Sequence, residues 1–286
     1  MIRSKSTAAI GMSAQKFTRA TPLAAPCSLV FGRVKTLSTQ SKQPNSATYL
    51  ESGSSTCNAI LGATRSALCG ALVTGLDFSR AALEFARRLA DETALEANFV
   101  QGTVDEATHL TPGPFDLVFA TWGTLCWLPD MRDWARVIAT VLAPGGELYC
   151  ADAHPGFVIL EEHAGRLMPT FDFQTPRDRP LEFVEAATYT GDRTVMTHQS
   201  TRVWIHPMSA ILGALIEAGL TITMFREHEV LPWRREAAQV TAQPGETVAL
   251  SGDVQSMVPS SDRMWRLRVG HPRMPLSFSL RAKKGV

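Results

Sequence analysis

The 286-residue sequence predicts an α/β domain whose sheet is mostly parallel. Three observations carry that class. Between residues 73 and 152, β-branched apolar runs alternate with amphipathic helical stretches at short intervals, as a parallel sheet with covering helices requires. One run, Val73-Thr74-Gly75-Leu76-Asp77-Phe78-Ser79, stops at a carboxylate and passes directly into a helical pattern. Near the end of the chain, residues 220–225 and 276–280 read as a final strand pair with an antiparallel C-terminal strand.

The elements follow in order. Residues 73–77 form a strand, and Ser79 caps a helix whose apolar face is Ala82, Leu83, Ala86, Leu89 and Ala90. Residues 98–101 make a short strand, and 115–120 a stronger one announced by Pro112-Gly113-Pro114. Pro129-Asp130 opens a helix with Met131, Trp134, Val137, Ile138, Val141 and Leu142 on one side. Pro144-Gly145-Gly146 stops it, and 147–152 is the next strand. Residues 155–206 break the rhythm. There, 182–189 and 195–205 read as a hairpin around Thr190-Gly191-Asp192-Arg193, a cap over the carboxyl edge of the sheet. Ser209 caps a helix bearing Ile211, Leu212, Leu215 and Ile216, which Gly219 ends. The polar stretch 235–262 reads as a surface loop.

With 45% hydrophobic residues, the chain can bury a substantial core. A net charge of +1 gives no reason to expect a nucleic-acid partner. No apolar run approaches the roughly 18–20 residues of a membrane span, so no membrane partner is expected. The five cysteines (Cys27, Cys57, Cys69, Cys126, Cys150) have neither CxxC nor metal-ligand spacing, which fits reduced thiols in a cytoplasmic protein or an organelle matrix. No metal site is expected. His163, His198, His206 and Glu161-Glu162 match no ligand spacing and read as solvated or structural groups.

Residues 1–52 contain no sustained helical or strand period, and residues 1–50 lack Asp and Glu while carrying seven Lys or Arg. Two readings stand: a transit-like leader, or a disordered or non-native extension that buries too little to offset its ordering entropy. The domain proper is then 53–286, with 155–206 as its insertion.

A carboxylate at the end of a strand in an open α/β sheet can accept both hydroxyls of a ribose, so Asp77 points to an adenosine-containing cofactor. The stretch Thr121-Trp122-Gly123, followed by Thr124-Leu125-Cys126-Trp127-Leu128-Pro129-Asp130, ends a central strand where ligands bind such sheets. Trp122 and Trp127 could pack on a ligand there, although large aromatics at strand ends also serve as plain core.

Residues 73–79, 115–130, 142–146 and Asp152-Ala153-His154-Pro155, in that order, resemble the class I S-adenosylmethionine-dependent methyltransferases with their Rossmann-like sheet, especially bacterial small-molecule members. Residues 212–231 with Pro232-Trp233, and the terminal stretch from His271 to Leu280, are similar to the same group. The resemblance implies methyl transfer from S-adenosylmethionine to O, N or C of a small-molecule acceptor. It implies that Asp77 holds the ribose hydroxyls, with Phe78 beside the adenine and Ser79 also at the cofactor, and that Gly102-Thr103-Val104 flank the adenine ring. The family often has an acid where Thr103 stands. It further implies that Thr121, Trp122 and Gly123 lie near the methionine part and the transferred methyl, and that Asp152 and His154 face the acceptor. A general base there would suit O- or N-methylation, although a His-Pro pair after a strand is also an ordinary turn.

The family's glycine loop is expected about 15 residues before Asp77, where small residues let backbone amides approach the cofactor. Gly62 is the one candidate, and no adequate strand leads into it. The codons available to residues 55–66, read displaced by one frame, permit His-Leu-Gln-Cys, then His or Asn, then Phe-Gly, an unfixed residue and Asp-Thr-Leu. That resembles the group's first motif, so the region up to about residue 72 reads as out of frame with the rest. A non-catalytic remnant with impaired cofactor binding is the alternative function. A nicotinamide-dependent oxidoreductase would need a three-glycine fingerprint that neither frame supplies.

Overall fold

The computed structural model describes residues 28–34, 71–94, 96–111, 113–184, 200–233, 240–241, 247–248, 256–260 and 264–286. In chain order the elements are β1 (Ser28–Val34), β2 (Ala71–Asp77), α1 (Arg80–Thr93), β3 (Ala97–Gln101), α2 (Ala107–Leu110), β4 (Phe115–Thr121), α3 (Met131–Val141) and β5 (Leu142–Ala153). Then come α4 (Pro155–Val158), β6 (Leu160–His163), β7 (Arg166–Pro169), β8 (Leu181–Val184), β9 (Ser200–Val203), α5 (Met208–Glu217) and β10 (Leu220–His228). The last are β11 (Val240–Thr241), β12 (Thr247–Val248), β13 (Met257–Pro259), β14 (Trp265–Leu267) and β15 (Ser277–Lys284).

Seven strands form the main sheet in the order β10-β15-β5-β4-β1-β2-β3. The β2–β3 and β4–β5 pairs are parallel, while β15 is antiparallel to both β5 and β10, as expected of the C-terminal strand. Strand alternation sends Val73, Phe119, Tyr149 and Ala151 to one face and Leu76, Val118, Leu148 and Cys150 to the other. The second face is covered by α3, which buries Met131, Trp134, Ala135, Ile138 and Val141, and by Ile211, Ala214 and Leu215 of α5. Each large apolar side chain so buried contributes about 1.5–3 kcal/mol relative to exposure. On the first face, Phe85, Ala86 and Leu89 of α1 pack with Phe99 of β3.

Two helix starts follow the sequence reading. Ser79 accepts from Ala82 N at 3.3 Å, and Asp130 accepts from Arg132 N at 2.8 Å. The third differs: Pro207, not Ser209, is the cap position of α5. Gly219, at φ +83°, follows the end of that helix.

The expected stop at Pro144-Gly145-Gly146 lies inside β5, which begins at Leu142. The register against β4 shifts between Phe115 and Leu117, so these residues form an irregularity within the strand. A Cβ on Gly146 would stand 2.8 Å from Phe115 O, which is why the backbones approach this closely only with glycine.

The largest departure concerns residues 1–52, where the sequence showed no strand. Residues 28–34 occupy the middle of the sheet as β1, antiparallel to both β2 and β4. Its Leu-Val-Phe run is too short to give a period on its own, and pairing with two strand edges decides its conformation. Residues 53–72 lie almost wholly outside the described residues, so the proposed frame displacement and the glycine-loop position fall there.

The insertion holds one hairpin that the sequence reading missed, β6–β7, turned by Ala164 and Gly165 at φ +49° and +77°. The expected cap hairpin is present as β8–β9, and its turn lies outside the described residues. The stretch read as a loop contributes β11 and β12 beside β8, and β13 pairs with β14.

Candidate functional site

At the end of β2, Asp77 is only 5% exposed. Its Oδ1 accepts from Ser79 N at 2.7 Å, a turn that hands the chain to α1. The carbonyl of Asp77 accepts from Gly102 N at 3.1 Å, which locks the ends of β2 and β3 together. Phe78 is exposed, with its carbonyl accepting from Gln101 Nε2 at 3.3 Å.

At the end of β3, the backbone N–H and hydroxyl of Thr103 both donate to Glu106 Oε2, at 2.9 and 3.0 Å. These bonds hold the Glu106 carboxyl below its ordinary pKa. The hydroxyl hydrogen of Thr103 is thereby committed, and its oxygen remains able to accept. Val104 is buried at the next position, and Asp105 is exposed.

At the end of β4, Trp122 and Gly123 adopt φ +50° and +82°, turning the chain sharply back. Asp152, in β5, organises that turn. Its Oδ1 accepts from Gly123 N (2.7 Å) and Ala153 N (2.8 Å), and its Oδ2 from Thr124 N (3.1 Å) and Leu125 N (3.0 Å). Burial pushes this carboxyl above its ordinary pKa, and the four amide donors oppose that shift. The direction in which a Cβ on Gly123 would point meets no atom of the described residues within 4 Å.

A cleft of about 560 Å³ opens at these carboxyl ends. One wall is Phe78, Thr103, Val104 and Asp105; the other is Trp127-Leu128-Pro129 with Ser200, Thr201, Arg202 and Trp204. The second wall is anchored to the loop after β4. Trp204 N donates to Cys126 O at 2.8 Å, the Trp204 indole N–H donates to Arg177 O at 3.1 Å, and the His206 ring bonds Leu128 O at 2.6 Å. Arg177 in turn pairs with Asp130 and Asp133 at 3.0 and 2.9 Å.

The expected site residues divide. Phe78, Thr103 and Val104 line the cleft together; Asp77 and Ser79 flank Phe78 in the turn into α1 and are not themselves among the lining residues. Trp122 does not line it. That indole packs on the opposite face, edge-on to Trp233 with centroids 5.8 Å apart, and Trp127 stands in the cleft instead. Thr121 ends β4, and its side chain, like Gly62, lies outside the described residues.

Asp152 and His154 do not line the cleft either. A buried carboxylate must be satisfied, and the loop amides satisfy Asp152. His154 caps α4: its Nδ1 accepts from Gly156 N at 3.1 Å while Nε2 pairs with Glu227 Oε1 at 3.0 Å. These partners assign the proton to Nε2 and engage both ring nitrogens, and burial lowers the pKa.

The sequence reading placed Leu128 and Pro129 in the stretch at the ligand-binding strand end but passed over Asp105, Arg202 and Trp204 as site residues. Asp105 was legible as an acid two positions beyond Thr103, but the cap residues carry no local signal. Among the described residues no cluster of His, Cys, Asp or Glu could hold a metal, and no helix is long and apolar enough to cross a membrane.

Comparison with known proteins adds a likeness over part of the chain. Residues 50–148 match the model of a methyltransferase domain. The chain is 35% identical over 80 residues to the ubiquinone biosynthesis O-methyltransferase of Escherichia fergusonii, covering 28% of this chain and 33% of that protein. The Cronobacter sakazakii counterpart is 38% identical over 80 residues, covering 28% and 32%. The chain thus spans about a third of the length of these curated relatives. A solved S-adenosylmethionine-dependent methyltransferase from Mesorhizobium loti aligns at 18% identity and TM-score 0.44, covering 74% of this chain and 79% of that one. Residues 50–148 are thus similar to a methyltransferase domain, and the likeness to the curated O-methyltransferases is confined to about a third of their length.

Proposed function

We propose that the chain transfers a methyl group from S-adenosylmethionine to a small-molecule acceptor, with an acceptor oxygen favoured over nitrogen or carbon by the O-methyltransferases it resembles. The observation that carries this reading is the buried Asp77 at the end of β2, beside a cleft walled by Phe78, Thr103 and Val104. A carboxylate there suits a ribose diol, and an aromatic and an aliphatic wall suit a purine. The open space beside Gly123 lets a ligand approach the backbone at the end of β4.

Bound in the cleft, S-adenosylmethionine supplies an electrophilic methyl on a sulfonium. Asp77 would accept the ribose hydroxyls, and the wall formed by Phe78 and Val104 would pack against the base. Thr103 offers its oxygen to the adenine amino group, while Asp105 places a full charge within the same wall. Asp152 holds Gly123, Thr124 and Leu125 in place beneath the cleft, which makes it a positioning residue. Asp105 is the one carboxylate among the described lining residues, so the chain's contribution is chiefly orientation of the acceptor against the methyl.

Calorimetric titration of the full chain with S-adenosylhomocysteine tests the proposal. Micromolar binding that weakens in Asp77→Ala supports it; silence at millimolar ligand overturns it in favour of a non-catalytic remnant.

A further inference from the structure

We infer that the cap-side wall of the cleft selects a flat, ring-bearing acceptor carrying a carboxylate, and that Arg202 is the selecting residue. The inference rests on the proposed reading of the cleft as the methyl-transfer site and names the acceptor class that reading leaves open.

The first observation is charge. Arg202 is the one cation among the described residues lining the cleft. Its Nε donates to Glu182 Oε1 at 3.0 Å, and Glu182 is its direct cross-strand partner in the β8–β9 pair. A guanidinium has five N–H donors in a rigid fork, so the bond through Nε fixes its direction and leaves the terminal amino groups to a ligand. Two parallel donors of that kind match a carboxylate bidentately.

The second observation is shape. Trp127 and Trp204 present indoles to the cleft with Leu128 and Pro129 beside them, surfaces suited to a planar apolar body. Both indoles are half-buried, and Trp204 is fixed at its backbone by Cys126 and at its ring by Arg177. Arg202 and Trp204, two positions apart, are placed to bind one molecule by its acidic and its flat parts. Arg202 is 68% exposed on its side chain, at the rim, where a charge acts mainly on selection and encounter.

The test uses two probes of equal shape, 2-naphthoate and 2-naphthamide, titrated into the full chain with and without saturating S-adenosylhomocysteine. The wild-type chain should bind the carboxylate about tenfold more tightly than the amide. Arg202→Gln should erase that preference, and Arg202→Glu should invert it. Glu182→Gln should enlarge it by releasing the guanidinium. Trp204→Ala should weaken both probes alike. Matching circular dichroism and urea midpoints show that each variant is folded. Equal affinity of wild type for the two probes, no binding of either, or a preference that survives Arg202→Gln overturns the inference. Absence of S-adenosylhomocysteine binding overturns the methyl-transfer reading instead, and the probe pair measured without it still reports on Arg202.

Discussion

The ends of β2 and β5 make an instructive pair. Each places a carboxylate with 5% exposure where the strand gives way to a loop, Asp77 in one case and Asp152 in the other. Asp77 serves a two-residue turn into α1 and stands beside the cleft wall formed by Phe78. Asp152 lies under a loop from the neighbouring strand that folds back and aims three of its amides at it, with Ala153 N as a fourth. A strand-end acid is therefore not yet a ligand-binding acid. At Asp152 the loop of the neighbouring strand returns across the carboxylate and engages it with backbone amides.

The strongest way to break this contrast is Asp152→Asn. An amide group turned toward three or four N–H donors leaves at least one buried donor unmatched, for a loss of about 3 kcal/mol. Urea unfolding should show the free energy of unfolding falling by that amount, with a lower midpoint; an unchanged midpoint would mean the carboxylate is not what holds the β4 loop. Asp77→Asn should behave differently, because the amide oxygen can still accept from Ser79 N. Its affinity for S-adenosylhomocysteine should drop about tenfold, or 1.4 kcal/mol, with the urea unfolding curve of the variant measured alongside. Calorimetry on the folded variant separates the two effects.

A smaller effect is expected from Asp105→Asn. If that exposed acid assists Thr103 in receiving the adenine amino group, S-adenosylhomocysteine should bind about threefold more weakly. Equal affinity would leave Thr103 as the sole polar partner on that wall.

The gentlest change is one of pH. Burial lowers the pKa of His154, His206 and His228, so the native state binds fewer protons than the unfolded chain as pH falls past the ordinary histidine value of about 6.5. Stability is thus fully present above that value and is lost as pH falls through the lowered native pKa values. Urea midpoints taken from about pH 8 down to about pH 5.5 should decline, and His154→Gln should flatten part of that slope. A midpoint that rises toward acid would contradict the neutral, Nε2-protonated His154 that caps α4.

Much of the scaffold was legible in residue order. Alternation in β2 to β5, the caps Ser79 and Asp130, and the closing β10–β15 pair are local signals, and local signals survive in one dimension. The cleft was half legible. Phe78, Thr103 and Val104 follow strand ends directly and could be placed by their neighbours. Arg202 and Trp204 reach the same cleft from nearly a hundred residues away, held by bonds to Cys126 and Glu182 that no spacing rule reports. Trp122 and Trp127 were indistinguishable as letters; the positive φ at Trp122 and Gly123 sends one to each side of the sheet. The middle strand was hidden for a related reason. Leu29, Val30 and Phe31 are too few to announce a strand without the two edges that receive them.

That middle strand bears on how the chain is made. During synthesis from the amino end, residues 28–34 emerge before either partner, and must wait for 71–77 on one side and 117–120 on the other. Closing so wide a loop carries an entropic toll of about 3 kcal/mol before any pairing repays it. The centre of this sheet is consequently set to zip late, and the nascent polypeptide must travel as far as β4 before its core can be sealed.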